Sequence, residues 1–142
     1  MNGFQDGLEE EDNSLRKIKN NSCLKSIMEK IKFSDWEKLD IRVGKILKIE
    51  TIEGADKLYK LEVNLGGEIG NRTIVAGLKP HYEIENLERK QVIVLTNLEP
   101  RRLKGIESQG MILAAIEEIS NGKEKVKILQ PQLKIKEGSK IR

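Results

Sequence analysis

The chain has 142 residues, 37% hydrophobic and 35% charged, with a formal net charge of +3. That length suits one compact core and is too short for two substantial domains. No apolar run approaches the roughly 18 residues of a membrane span. A single cysteine, Cys23, and a single histidine, His81, leave no internal disulfide and no zinc cluster. The expectation is a cytoplasmic protein that uses no metal or cofactor and does not enter a membrane.

Charge is unevenly spread. Residues 1–13 hold five acids and no base, residues 14–38 seven bases and three acids, and residues 39–142 nineteen bases and fifteen acids. The first stretch, with only Phe4 and Leu8 to bury, reads as a disordered acidic start. It also lacks the basic and apolar regions of a secretory signal. In residues 14–31, Leu24, Ile27, Met28 and Ile31 fall at i, i+3, i+4 and i+7, one face of a basic amphipathic helix. Packing on its own domain is the plainer use of that face, and docking on a partner is the alternative. Residues 1–32 are therefore treated as an extension and 33–142 as the domain.

Ser34 and Glu37 have capping-box spacing, which predicts a helical turn over 34–38. Phe33 and Trp36 beside it are expected to plug one end of a barrel rather than serve as a stacking platform. From Leu39 the hydrophobic period becomes two. Ile41, Val43, Leu47 and Ile49 share one face of a first strand, with Arg42 and Lys48 opposite. Gly44 and the off-phase Ile46 predict a bend or bulge. A turn at 51–56 leads to a second strand with Tyr59, Leu61, Val63 and Leu65 inward. A glycine-bearing connection at 66–71 precedes a third strand, Arg72–Leu78. Residues 81–90 have room for one or two helical turns before a fourth strand, Gln91–Thr96. Then comes the basic stretch LEPRRLKGIESQG, a fifth strand over 110–116, an Asn121-Gly122 hairpin turn and short extended pieces to the C-terminus.

Several short, curled strands with a small helix between the third and fourth predict an all-β fold. The specific form is a five-stranded OB-fold Greek-key barrel with an N-terminal helical extension and extra C-terminal strands. An open antiparallel sheet backed by a helix is the rival. No nucleophile–base–acid arrangement is visible around His81 or Cys23, and no glycine spacing makes a phosphate cradle, so a non-enzyme is expected. Arg101, Arg102 and Lys104 concentrate positive charge in one loop, with Ser108 and Gln109 able to hydrogen-bond beside it. Lysines and arginines of this kind hold phosphates with salt-dependent affinity. With Tyr59 and Tyr82 the only tyrosines, stacking is less expected than recognition of a structured RNA by backbone and shape. A merely solvated charged face is the competing account.

LDIRVGKILKIE, GADKLYKLEVNLG, RTIVAGLK and NLEPRRLKGIESQGMILAA together resemble the tRNA-binding domain attached to methionyl-tRNA synthetases and found as small standalone proteins. The resemblance spans roughly residues 33–142, and its most specific part is NLEPRRLKG followed by SQGM. It implies a tRNA partner, a homodimer built partly by the segment after the barrel, and work as a free protein or as the beta-type subunit of methionyl-tRNA synthetase in protein biosynthesis. Carried over by position, it puts Arg42 and Lys57 on the RNA face. Arg101, Arg102 and Lys104 would then contact phosphates, and Ser108, Gln109 and Met111 would shape the edge where RNA sits. The 67–72 connection is similar instead to that of a dimeric protein-export chaperone of the same barrel type. That leaves binding of unfolded polypeptides as the alternative function.

Overall fold

The computed structural model describes residues 28–142. Most of the helix expected over 14–31 lies outside the described residues, as does Cys23, and Met28–Lys32 have no regular structure. The chain divides into two units, Met1–Trp36 and Glu37–Arg142. The first contains the short helix α1, Phe33–Trp36, opened by bonds from the Asp35 and Trp36 amides to the Lys32 carbonyl. Ser34 therefore sits inside the turn rather than capping it. Phe33 is 70% exposed, contrary to its expected role as a plug.

The second unit is an all-β barrel. Strands β1 (Ile41–Ile52), β2 (Ala55–Asn64), β3 (Asn71–Ala76), β4 (Gln91–Leu95) and β7 (Met111–Ile112) form one antiparallel sheet in the order β3-β2-β1-β4-β7. Helix α2 (Gly66–Ile69) joins β2 to β3, and a 3-10 turn at Ile84–Asn86 precedes β4. Between β4 and β7 the chain makes a separate hairpin, β5 (Arg101–Leu103) and β6 (Ile106–Ser108). Past the barrel, β8 (Ala114–Glu118) and β9 (Glu124–Ile128) make another.

The alternation read from the sequence holds through β2 and one residue beyond, where Tyr59, Leu61, Val63 and then Leu65 are all buried. In β1 it breaks. The register against β2 shifts between Ile46 and Lys48, so Ile46 turns into the core and Leu47, expected inside, faces out. A bulge of this kind sharpens the strand's coil and switches its phase. Gly44 lies at a tight crossing, where a Cβ would meet Val63 Cγ1 at 2.7 Å and Leu65 Cδ2 at 2.8 Å. Ile46, Leu61, Leu65, Ile74, Leu87, Val92 and Val94 fill the interior. Truncating any of them to Ala would cost about 2–5 kcal/mol, as large-to-small core changes do.

The expected fifth strand is split. β7 pairs with β4 for two residues, then β8 leaves to pair with β9, whose turn has left-handed Asn121 and Gly122 as the sequence requires. The C-terminal tail is bound rather than loose. The Val43 amide donates to the Ser139 carbonyl at 2.9 Å, and the Gly138 and Ile141 amides donate to the carbonyls of Val43 and Ile41 at 2.8 Å each. The start of β1 thus has β4 on one edge and the tail on the other. Among the described residues no helix is long and apolar enough to cross a membrane.

Candidate nucleic-acid interface

Ser108, Gln109 and Gly110 form the seam that closes the barrel. The free edge of β3 presents the amides of Thr73 and Val75, which a closed sheet must satisfy. Val75 donates to Ser108 Oγ at 2.9 Å and Thr73 donates to Gln109 Oε1 at 3.0 Å, while the Gln109 amide returns a bond to the Thr73 carbonyl at 2.8 Å. Arg72, which sequence reasoning passed over, donates through Nη1 to the carbonyls of Thr96 and Gln109. Gly110 has φ +156, and a Cβ there would lie 3.2 Å from the Leu95 carbonyl oxygen and 3.3 Å from Val94 Cγ1. Ser108 is only 6% exposed. Ser108 Oγ and Gln109 Oε1, expected at an RNA edge, are engaged by the amides of β3.

The β5–β6 hairpin projects from that seam. Lys104 and Gly105 at its tip both have positive φ, 52° and 80°, the pattern of a two-residue turn whose twist matches its strands. Arg101, Arg102 and Lys104 are exposed, and none is in an ion pair among the described residues. Arg102 donates back to the Gly105 carbonyl at 2.7 Å, which stiffens the tip. Beside the hairpin runs a groove of about 390 Å³ whose walls include Leu58, Leu98, Arg101, Leu103, Met111 and Ile116. Lys57, next to Leu58 in β2, is exposed. Met111 is 42% exposed and helps line the groove, as a rim residue would.

Arg42 differs from the other expected contacts. It is 6% exposed, with Nε 3.0 Å from Asp40 Oδ1 and Nη1 2.8 Å from Glu68 Oε1. Its position in β1 does point away from the interior, but the tail and α2 cover it there. Arg42, expected on an RNA face, is instead a buried guanidinium paired with the partly exposed Asp40 and the exposed Glu68. Hydrogen bonds from Arg42 come first among the causes that hold the Glu68 carboxyl below its ordinary value. At Asp40 burial pushes the carboxyl up, but bonds from Arg42 and Thr96, with the charges of Arg42 and Lys140, outweigh it and bring it down.

Two other cations of the first two strands are partly offset. Lys48 and Lys60 share Glu50, at 3.1 and 3.5 Å. Neither tyrosine is free to stack: Tyr59 is buried with its hydroxyl donating to the Tyr82 carbonyl at 2.9 Å, and the Tyr82 hydroxyl accepts from the Ile128 amide at 3.1 Å. His81 lies exposed in the turn after Leu78. Among the described residues no group of acids, histidines or cysteines could hold a metal ion. The exposed cations therefore cluster on the hairpin itself; of them only Arg101 lines the groove, together with Glu99 and Glu124.

Residues 41–140 match the family model described as "Putative tRNA binding domain". The chain belongs to this tRNA-binding domain family. It is 50% identical over 115 residues to the methionine–tRNA ligase of Pyrococcus horikoshii, covering 81% of this chain and 15% of that enzyme. This chain thus spans about one seventh of the length of such relatives. Among solved structures it is similar to a MetRS-related protein from Pyrococcus horikoshii, with TM-score 0.71, 34% identity, and coverage of 81% of this chain and 100% of that one. It is also similar to the chaperone CsaA of Bacillus anthracis, with TM-score 0.70, 28% identity and 80% and 100% coverage.

Proposed function

We propose that this domain binds tRNA without catalysing a reaction, reading backbone and shape rather than base identity. It would act as a standalone dimer or as the beta-type subunit that assists methionyl-tRNA synthetase. One observation carries the reading: Arg101, Arg102 and Lys104 stand exposed on a stiff hairpin, with none of them in an ion pair among the described residues. Ser108 and Gln109 serve the same site indirectly, by fixing the hairpin's root to β3. Met111 forms part of the rim, and Arg42 supports the barrel beneath. The family membership and the likeness to methionine–tRNA ligase favour tRNA among structured RNAs.

The dimer reading draws support from apolar side chains left uncovered beyond the barrel. Ile116, Ile119 and Leu129 are all exposed, a pattern that often marks a protein contact. A second reading, capture of unfolded polypeptide, is favoured by the same surface and by the likeness to CsaA. Titration of labelled tRNA across a salt series separates the two. Phosphate contact requires measurable binding at about 50 mM salt and a steep loss by about 200 mM. Affinity that is flat across that range, together with suppression of client aggregation at high salt, would favour the chaperone reading.

A further inference from the structure

A second cationic groove lies at the other end of β4 from the hairpin. Its volume is about 280 Å³, and its walls include Lys45, Arg89, Lys90, Lys134 and Glu137. Four cations against one carboxylate leave a local charge of +3 (4 − 1). None of the four cations is in an ion pair among the described residues. Glu137 accepts from Gln91 Nε2 at 2.9 Å, and that bond, followed by the fields of Lys45 and Lys134, holds its carboxyl below its ordinary value. The outer face of β1–β3 makes a useful contrast, because there Lys48 and Lys60 are offset by Glu50.

This groove is built rather than incidental. Gln91 fastens the tail by pairing its side-chain amide with both the carbonyl and the amide of Ile135, at 2.5 and 3.1 Å. Gln130 Nε2 adds a bond to the Gln91 carbonyl at 3.0 Å. Lys134 is therefore carried on a segment pinned to the strand beside Lys45. Arg89 stands at φ 65, a backbone state that costs a residue with a Cβ of order 1 kcal/mol, and its amide is tied to the Ile46 carbonyl at 2.9 Å. No aromatic side chain lines this groove, so it suits phosphate and offers a base no stacking surface.

We propose that this groove is a second phosphate-binding surface, gripping the backbone of the same RNA that the β5–β6 hairpin engages. The inference rests on the RNA-binding reading above. The register pairs Ile41 with Leu95 near the hairpin end and Lys45 with Gln91 at the groove end. Four residues of strand separate the two ends, on the order of 13 Å, which one RNA can bridge. Contacts at both ends fix the RNA's direction across the barrel without any base being read.

The test uses the full chain, labelled tRNA and salt from about 50 to 200 mM. The groove variant carries Lys45→Gln, Arg89→Asn, Lys90→Gln and Lys134→Gln; Asn is chosen at 89 because it tolerates a left-handed backbone. It should bind at least tenfold more weakly than wild type, with the salt slope reduced by about 0.7–0.9 for each phosphate no longer neutralised. A hairpin variant, Arg101→Ala with Arg102→Ala and Lys104→Ala, should keep residual salt-dependent binding that vanishes when both sets are combined. Failure of the wild-type chain to bind tRNA defeats the RNA reading as a whole. Wild-type affinity and slope in the groove variant, with binding weakened in the hairpin variant, overturn the groove alone. A changed native mass in the groove variant also overturns it, by placing these side chains in a subunit contact. Should the fourfold variant fail to fold, Lys90→Gln and Lys134→Gln singly must each weaken binding about threefold at unchanged Tm, and unchanged binding overturns the assignment.

Discussion

Arg101–Gly105 and Ser108–Gly110 are neighbours in the sequence and opposites in the structure. The first is an exposed hairpin tip whose cations have no carboxylate partner among the described residues; the second is a largely covered seam in which side chains stand in for a missing strand. The resemblance groups both as RNA contacts. In the barrel Ser108 Oγ and Gln109 Oε1 accept from the Val75 and Thr73 amides, so these two oxygens hold the seam closed. A polar side chain beside a binding loop thus acts by direct contact or by positioning, and its burial decides which. Substitutions in the two regions should consequently separate stability from affinity.

Between seam and hairpin, the largest stability loss is expected from Gly110→Ala, which puts a methyl group against Val94 and the Leu95 carbonyl at a backbone angle L residues avoid. Thermal or urea unfolding should show a loss of about 2–3 kcal/mol. A native-like Tm would mean that the seam is loose. Next comes Ser108→Ala, which leaves the buried Val75 amide without its acceptor. The expected cost is about 1–3 kcal/mol, with tRNA affinity nearly retained in the fraction that stays folded. Loss of affinity at full stability would make Ser108 a direct contact and break the distinction.

Arg42→Met tests a third kind of site, a cation covered by distant segments. Its carboxylate partners are partly exposed and can be rehydrated, so the loss should be smaller, about 1–2 kcal/mol at neutral pH. The sign with pH follows from the lowered carboxyl groups of Asp40 and Glu68. Their contribution is fully present above the unfolded range near about pH 4, and falls away as pH drops through their lower folded values. Urea unfolding should show wild type losing more stability between pH 5 and 3 than the variant does. Equal losses would mean the ion pair contributes nothing to acid sensitivity.

The smallest stability effect belongs to the hairpin. Replacing Arg101, Arg102 and Lys104 with Ala should cost about 0.5 kcal/mol or less at each position, yet reduce tRNA affinity and flatten its salt dependence. Native circular dichroism combined with unchanged affinity would remove the hairpin from the interface.

The sequence by itself determined a good deal. Strict alternation in β2 set its inward face, left-handed residues at Asn121-Gly122 set a hairpin, and the order of short strands predicted the barrel. It also located the exposed cations at 101–104, because a charge run at a turn stays solvated whatever the rest of the chain does. Tertiary structure decided the remainder. The bulge at Ile46–Lys48 exchanged the roles of Ile46 and Leu47, since strand phase is reset by one extra residue. Arg42 became buried because α2 and the C-terminal tail cover a face that period-two reasoning assigns to water. Ser108 and Gln109 became structural because β3 arrives from more than 30 residues away with two amides to satisfy. Lys45, Arg89, Lys90 and Lys134 became one groove for the same reason, of which the adjacent Arg89-Lys90 pair was the only local trace. Local pattern fixes which way a side chain points from its own strand; only the fold decides what has been laid over it.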